Sequence, residues 1–367
     1  MTRKINVGIL FGGKSAEHEV SLQSAKNVFE ALNKKKYNPV LIGIDKAGRW
    51  LLCPQKNFLF NADNPKLIKL NQKGDEIALI PQGQGKIFNL TRKENNLVID
   101  VAFPILHGPF GEDGTIQGLL KLADIPFVGA GVRGSAVGMD KDVMKRLLRE
   151  AGMPIGKFIT LKLGDSIPDY QTIKNKLGAP FFIKPANLGS SIGINKIHNK
   201  SEYLKGVKDA FSYDRKIIIE EFIPGREIEC AVLGNSDPVA SIPGEIISGY
   251  EFYSYEAKYI DENGAVLEIP AKISAKTKKK IQSLAIKTFQ ILSCQGLGRV
   301  DFFLKENGDI IVNEINTIPG FTKISMYPKL WKVSGLSYTE LIDKLIQLAI
   351  ERFDQEKGIE IKQIDGN

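Results

Sequence analysis

Two β-rich runs near the C-terminus carry acidic and amide side chains at the spacing of a β-hairpin. Between them stands Asn307-Gly308, the strongest short sequence signal for a two-residue hairpin turn. Such a turn places Asp301 directly opposite Glu314. It also places Arg299 opposite Asn316, and strand alternation puts all four side chains on one face of the hairpin.

Facing carboxylates repel each other, so Asp301 and Glu314 predict a positive group between them. Two carboxylates and the amide oxygen of Asn316 suit Mg²⁺, which prefers oxygen ligands and shares its coordination shell with substrate phosphates. The alternative is a solvated pair on an exposed hairpin, and the register alone favours that alternative. A slip of one residue in the turn would remove the argument for a metal.

A second candidate site follows the apolar strand 181–184, which ends at Lys184. The loop after it contains Gly189, Ser190, Ser191 and Gly193. Glycines permit close backbone approach, hydroxyls donate hydrogen bonds and lysine supplies charge for a phosphate. The pattern is neither a Walker A loop nor a dinucleotide fingerprint, and alone it is more often an ordinary turn.

A third candidate is the strand 217–223, where Glu220 and Glu221 precede the exit to Glu227. Such carboxylates could meet an adenine amino group and ribose hydroxyls. By itself the pattern favours an edge strand with solvated carboxylates.

Two further polar residues follow predicted buried strands. His107 lies in a loop with Gly108, Gly111 and Gly114, and such loops are common at ligand sites, although a lone loop histidine is more often a bystander. Glu17 lies just past the first strand, at the sheet end where open parallel sheets bind ligands. We find no Ser/His/Asp triad and no sign of a cysteine nucleophile.

These residues must be positioned by an α/β fold. A strand over residues 5–11, a helix with Ser21 as N-cap and a strand over 40–44 predict a βαβ unit in a parallel sheet. Residues 46–96 predict short hairpins at the domain edge, and 98–106 another buried strand.

The rest of the chain predicts a small α+β unit and a final domain. A helix is expected over 141–150 within a unit spanning about 139–215, and the aromatic-rich segment 248–262 follows later. The final elements are helices near 275–293 and 337–354 and a hairpin over 299–315. The chain of 367 residues is long enough for two or three domains.

Composition excludes several classes of protein. The formal charge of +8 is spread along the chain, so small anionic ligands are possible and nucleic acid is not indicated. The three cysteines, Cys53, Cys230 and Cys294, predict neither a disulfide framework nor a zinc site. No apolar run approaches the ~18 residues of a membrane helix, and we expect a reduced, cytoplasmic protein with no membrane association.

In their order along the chain, the motifs resemble ATP-grasp carboxylate–amine ligases, and among them the D-alanine–D-alanine ligase family. The resemblance extends from residue 5 to about 350. The matching segments are 12–22, 107–115, 139–141, 184–193, 256–259, 298–301 and 314–322.

The resemblance implies an α/β protein with an N-terminal αβα (pre-ATP-grasp) domain and a two-part ATP-grasp fold that holds ATP between its parts. The expected domains are 1–138, with the first D-alanine pocket, 139–215, the central lid, and 216–367, the C-terminal domain. The polar insertion at 46–96 resembles the longer of the family's two forms. The family also suggests a homodimer.

The resemblance also assigns the nucleotide and metal sites, with two Mg²⁺ ions expected and Mn²⁺ as a possible substitute. Glu221 stands where some relatives carry lysine. The implied residues are Asp301, Glu314 and Asn316 for the metal, Lys141, Lys184, Ser190, Ser191 and the mobile-loop residue Lys258 for the phosphates, Glu220 and the backbone of Glu221, Phe222 and Ile223 for adenine, and Glu227 for ribose.

The implied reaction joins two D-alanines into a dipeptide that serves as a peptidoglycan precursor. The first carboxylate takes the γ-phosphoryl group of ATP, and the amine of the second D-alanine attacks the resulting acyl phosphate through a tetrahedral oxyanion. Glu17 and Ser325 match the residues that bind the ammonium of the first D-alanine, and His107 those near its carboxylate. The other matching residues are Met326 for substrate binding, Arg299 for substrate binding and, with the N–H of Gly320, for the oxyanion, and Tyr259, which matches a family residue that hydrogen-bonds to the positions of Ser190 and Glu17.

Two other functions stay open at this point. A different ATP-grasp ligase would join another carboxylate to another amine, but Glu17, His107 and Tyr259 match the amino-acid pockets. A non-catalytic ATP-binding regulator would be favoured if a metal ligand or Arg299 were missing, and none is missing.

Overall fold

The first strand, β1 (Ile5–Gly12), lies between two parallel neighbours, β2 (Tyr37–Ile44) and β9 (Val101–Pro104). These strands are largely buried on both faces, and the expected βαβ unit is confirmed. Here the computed structural model describes residues 3–248, 265–322 and 324–358. Antiparallel strands extend the sheet in the order β8-β7-β6-β3-β2-β1-β9. The remaining strands of residues 46–98 are β3 (Trp50–Cys53), β4 (Leu59–Phe60), β5 (Lys69–Leu70), β6 (Asp75–Leu79), β7 (Lys86–Asn89) and β8 (Glu94–Val98), with β4 and β5 paired separately.

Helix α1 (His18–Ala31) begins four residues earlier than predicted, with Glu17 at the N-cap position. The predicted N-cap, Ser21, is wrong because this residue lies inside the helix and is fully buried. Its hydroxyl accepts the Gly12 N–H at 2.7 Å and donates to the Ile105 carbonyl at 2.5 Å. Ser21 therefore joins the ends of two neighbouring strands at the sheet edge where the polar loops gather.

Three helices follow the first sheet: α2 (Thr115–Leu122), α3 (Val132–Met139) and α4 (Lys141–Glu150). The last has the predicted bounds. Its N-terminus is capped by the Asp140 carboxylate, which accepts the N–H groups of Asp142 and Val143 at 3.1 Å each. This cap fixes the first turn of α4, which begins with Lys141.

The central unit is a four-stranded antiparallel sheet in the order β10-β13-β11-β12, packed against two helices. Its boundaries differ from the expected 139–215. The buried face of α4 joins the C-terminal core instead, and a strand that begins at residue 216 lies inside the central sheet. The elements are β10 (Phe158–Lys162), α5 (Tyr170–Leu177), β11 (Phe181–Pro185), β12 (Asn195–Ile197), α6 (Lys200–Tyr213) and β13 (Lys216–Glu221).

The C-terminal unit is an antiparallel sheet in the order β17-β16-β14-β18-β19, with β15 paired to β14. Its core is continuous with that of the first sheet, as the Phe103 and Phe321 rings show at 6.0 Å between centroids. The elements are β14 (Arg226–Gly234), β15 (Val239–Ala240), β16 (Gly244–Ser248), β17 (Ala265–Glu268), α7 (Ala275–Ile291), β18 (Gly296–Leu304), β19 (Ile310–Asn316), α8 (Met326–Val333) and α9 (Tyr338–Lys357).

The β18–β19 hairpin has the predicted pairing at the candidate metal site but not at its turn. Gly308 alone has a positive φ, and the Lys305 N–H donates to the Asp309 carbonyl, so the loop has three residues. A β-bulge at Asn313 then shifts the register back, and Asp301 pairs with Glu314 as predicted. The longer loop and the bulge shift the register by one residue in opposite directions, so the predicted pairing of Asp301 with Glu314 is confirmed.

The sequence predicted no disulfide framework and no membrane helix. Cys53, Cys230 and Cys294 are free and buried, and burial raises the pKa of the Cys230 and Cys294 thiols to about 12. No helix in the described part of the chain is long and apolar enough to span a membrane.

We predict that Ser21→Ala lowers the free energy of unfolding by about 1–3 kcal/mol, because a buried N–H and a buried carbonyl each lose their hydrogen-bond partner. Urea denaturation followed by circular dichroism measures the change. Ser201→Ala, at an exposed position of α6, is the matched control. Equal stability of the two variants would contradict this role of Ser21.

Candidate active site

A cavity of about 450 Å³ lies between the central sheet and the C-terminal sheet. Every predicted nucleotide and metal residue that the structure describes lines it, and its volume is within the usual range for small-ligand sites. Lys258 and Tyr259 lie outside the described residues. The weak sequence signals on three separate segments therefore belong to one site.

The facing carboxylates of Asp301 and Glu314 form one wall of this cavity. Arg299 donates to both oxygens of Asp301 at 2.7 Å, and the Asn316 amide N–H donates to Asp301 at 2.9 Å. The Lys141 ammonium lies 3.7 Å from the Glu314 carboxylate. Positive groups thus lie around the pair, as the repulsion between two carboxylates requires.

The donor set on this wall fits Mg²⁺. The amide of Asn316 uses its N–H on Asp301, which leaves its oxygen to coordinate a cation. Among the described residues no group of three His, Cys, Asp or Glu side chains could hold a metal. A cation here would therefore take two carboxylates and an amide from the protein and fill its shell with phosphate oxygens and water.

Glu220 lies on the opposite wall, and its predicted setting was wrong. Its strand, β13, lies inside the central sheet, and the side chain is only 8% exposed. Lys145 and Lys184 contact its two oxygens at 2.8 and 2.7 Å. Burial raises the pKa of this carboxyl, but the two lysines outweigh burial and hold the pKa well below its usual range. Glu220 is therefore an ionised carboxylate held inside the cleft.

The last residue of β13, Glu221, has both its backbone and its side chain engaged in hydrogen bonds. The Glu221 N–H donates to the Lys157 carbonyl at 3.1 Å, and the Glu221 carboxylate accepts the Lys157 N–H at 2.7 Å. Phe222 is 39% exposed beside Phe182. The Glu221 side chain is thus turned to Lys157. Any contact with adenine from this segment would come from the backbone of Glu221 to Ile223.

The Gly/Ser loop lines the cavity and contacts the N-terminus of α1. Ser190 and Ser191 both have positive φ, 53° and 59°, a costly conformation for residues other than glycine that is typical of functional sites. The Ser190 hydroxyl donates to the Glu17 carboxylate, which is buried at the N-terminus of α1. The Lys141 ammonium donates to the Leu188 carbonyl of the same loop at 2.7 Å.

His107 is buried behind Glu17 and bridges two domains. Its Nδ1 donates to the Ile318 carbonyl at 3.1 Å, and its Nε2 lies 3.3 Å from the Ser24 hydroxyl. Burial lowers the pKa of the imidazole, so the ring is neutral at physiological pH. The structure places His107 as a link between the first sheet and the segment that follows β19.

The predicted substrate-binding residues Ser325 and Met326 lie on that same segment. The Ser325 hydroxyl accepts the Thr322 N–H at 3.0 Å and lies close beside Gly320, where an added Cβ would stand 2.8 Å from it. The Met326 side chain is buried in the core, so a substrate contact there falls to its backbone.

The chain matches two family models described as D-ala D-ala ligase N-terminus, over residues 6–130, and D-ala D-ala ligase C-terminus, over residues 147–347. The chain belongs to the D-alanine–D-alanine ligase family. A D-alanine–D-alanine ligase of Oceanobacillus iheyensis is 52% identical over 99% of this chain and 100% of its own length. D-alanine–D-alanine ligase A of Escherichia coli K12 is 49% identical over 97% of this chain and 98% of its own.

Solved structures of the D-alanine–D-alanine ligase family agree with this assignment. The enzyme from Coxiella burnetii superposes with a TM-score of 0.84 at 39% identity, over 96% of this chain and 97% of its own. The VanG D-Ala:D-Ser ligase from Enterococcus faecalis superposes with a TM-score of 0.83 at 37% identity, over 95% and 100%. The expected α/β class and ATP-grasp fold are thereby confirmed.

Sequence reasoning missed three residues of this ligase. Lys145 lies one turn after Lys141 on α4, and its i+4 spacing was the available signal. Glu229 lies 2.9 Å from Arg299, which it contacts from the neighbouring strand β14. Glu112, within the segment 107–115, lines the cavity and accepts the Gly108 N–H at 2.9 Å.

The buried carboxyl of Glu112 should make the free energy of unfolding depend on pH. Burial and the neighbouring Glu17 raise the pKa of its carboxyl to about 8, whereas the unfolded chain has a glutamate pKa of about 4.3. Between these values the folded chain holds a proton that the unfolded chain has lost. The free energy of unfolding should therefore fall with rising pH, by on the order of 1 kcal/mol per unit.

We predict that Glu112→Gln, in a protein without nucleotide, loses less stability between pH 6 and pH 8 than the wild type. Thermal unfolding at each pH measures this. Glu150→Gln, at the exposed end of α4, should follow the wild-type curve. Parallel curves for the wild type and Glu112→Gln would show that Glu112 ionises normally.

Proposed function

We propose that this enzyme joins two D-alanine molecules into D-alanyl-D-alanine while ATP is converted to ADP and phosphate. The observation that carries the proposal is the Ser190–Glu17 hydrogen bond. It connects the predicted D-alanine pocket at the end of β1 to the loop beside Lys141 and Lys184. A D-alanine whose ammonium is bound at Glu17 would therefore place its carboxylate next to the phosphate it must attack.

In the first step, a carboxylate oxygen of D-alanine attacks the γ-phosphorus and the bond to the bridging oxygen of ADP breaks. Glu17 would hold the D-alanine ammonium, and Ser190 fixes the Glu17 carboxylate. Lys141 and Lys184 would offset the negative charge on the phosphoryl oxygens, where positioning and charge neutralisation supply most of the catalysis.

A divalent cation held by Asp301, Glu314 and Asn316 would neutralise phosphate charge when bound. The proposal includes two Mg²⁺ ions, with Mn²⁺ as a substitute. Arg299 holds the Asp301 carboxylate and Lys141 the Glu314 carboxylate in place to bind that cation. Asn316 is oriented by its hydrogen bond to Asp301.

In the second step, the deprotonated amine of another D-alanine attacks the acyl carbon, and phosphate leaves from the tetrahedral intermediate. Arg299 and the N–H of Gly320 would stabilise its oxyanion, an interaction whose loss typically costs ~10²–10³ in rate. The Arg299 guanidinium is already held by Glu229 and Asp301, so it needs little reorganisation. Ser325, with Glu17, would hold the ammonium of the first D-alanine, and the backbone of Met326 would contribute to substrate binding.

The competing functions predict different chemistry. A regulator would not require the Asp301–Glu314 pair and the Ser190–Glu17 contact together, and both are present. The VanG relative is described as a D-Ala:D-Ser ligase, so D-serine is the closest alternative second substrate. The homodimer and the cytoplasmic location stay predictions.

The deciding experiment measures phosphate release and identifies the product by mass, with ATP, Mg²⁺ and D-alanine, D-alanine plus D-serine, D-alanine plus D-lactate, L-alanine or no amino acid. We expect release with D-alanine alone and a D-alanyl-D-alanine product. Preferential formation of the mixed dipeptide would change the second substrate to D-serine. Nucleotide binding without turnover under any condition would favour the regulator.

We predict that Glu314→Gln raises the Mg²⁺ concentration needed for half-maximal activity by at least about tenfold, because one anionic ligand of a hard cation is lost. Activity measured against Mg²⁺ at saturating ATP and D-alanine tests this. Glu306→Gln, at the exposed turn of the same hairpin, is the control. An unchanged Mg²⁺ dependence in Glu314→Gln would remove this residue from the metal site.

A further inference from the structure

Lys145 is a buried lysine inside the nucleotide cleft, and its side chain is only 5% exposed. A buried ammonium is costly unless it is paired and hydrogen-bonded. Its ammonium contacts the Glu220 carboxylate at 2.8 Å and donates to the Asn313 carbonyl at 3.3 Å. Lys145 therefore joins the central sheet, which carries Glu220, to the C-terminal hairpin, which carries Asn313.

The hairpin contact depends on the β-bulge of β19. Asn313 is the extra residue between Val312, which pairs with Phe302, and Glu314, which pairs with Asp301. Bulges redirect backbone groups that a regular ladder would use for pairing. The carbonyl that Lys145 contacts is therefore adjacent to the candidate metal ligand Glu314.

The two lysines at Glu220 are not equivalent. Lys184 is the penultimate residue of β11, beside the Gly/Ser loop, and in the proposed function its charge offsets that of a phosphate. Lys145 is fixed on α4 between Glu220 and Asn313. When a phosphate draws Lys184 away, Lys145 is the lysine that remains against the Glu220 carboxylate.

We propose that Lys145 is a positioning residue for nucleotide recognition. It keeps Glu220 charged and oriented toward the purine amino group, and its hydrogen bond to the Asn313 carbonyl holds its own ammonium in place against Glu220. This rests on the proposed function, with the nucleotide between these two walls, its adenine at Glu220 and a phosphate at Lys184.

The electrostatics of Glu220 support this role. Although burial raises the pKa of this carboxyl, Lys145 and Lys184 together lower it, and Lys145 is the first of the two in effect. Without Lys145, departure of Lys184 to a phosphate would leave a buried carboxylate with no cation. Such a group takes up a proton or moves toward water, and in either case it becomes a poorer acceptor for an amino group.

The test is calorimetric binding of Mg·ADP and Mg·IDP, which needs no turnover and so stands whether or not the dipeptide forms. IDP carries a carbonyl where ADP carries the amino group. We expect Lys145→Met to weaken ADP binding by about 10- to 100-fold, the usual cost of losing a charged hydrogen-bonded partner. IDP binding should weaken less, so the preference for ADP falls. Lys174→Met, at an exposed lysine of α5, should bind both nucleotides as the wild type does.

A double variant tests whether Lys145 acts through the charge of Glu220. In Glu220→Gln there is no carboxylate to neutralise, so adding Lys145→Met should change ADP affinity by less than about threefold. Lys145→Gln can still donate to the Asn313 carbonyl but has no charge; it replaces Lys145→Met if that variant does not fold. A loss of ADP affinity below about fivefold, an equal loss for ADP and IDP, or the same loss in the Glu220→Gln background would overturn the proposal.

Discussion

The candidate nucleotide cleft depends on one constraint, which is that like charges are brought together on each of its two walls. Asp301 and Glu314 face each other directly across two paired strands, and like charges at such positions destabilise a sheet. On the other wall Lys145 and Lys184 converge on the single carboxylate of Glu220. A cation on the first wall and phosphates near the second would complete both sets.

Each part of the fold holds one piece of this arrangement. The capped start of α4 presents Lys141 and Lys145 between the two walls. The end of β1 and the N-terminus of α1 hold Glu17 against the Gly/Ser loop. The bulge in β19 restores the Asp301–Glu314 pairing and also turns a carbonyl toward Lys145. One local irregularity thus positions groups on both walls of the cleft.

The sequence was sufficient where chemistry follows from local pattern, as in the parallel βαβ unit, the bounds of α4 and the facing carboxylates. It failed where tertiary contacts decide. Ser21 has the residue type of an N-cap, but its hydroxyl serves two backbone groups of neighbouring strands. Glu220 has the pattern of an edge strand, yet two lysines from distant segments permit its burial. The hairpin loop is one residue longer than Asn307-Gly308 predicts, and a bulge at Asn313 compensates for it. The sequence did not predict this bulge because it has no local signature.

The most direct test of this charge balance is the melting temperature of the ligase with MgCl₂ alone, ADP alone and both together, against a chelator-treated sample. If the two walls are completed by one metal–nucleotide complex, the shift with both should exceed the sum of the separate shifts. A full shift with ADP in the presence of chelator, or strictly additive shifts, would contradict the account.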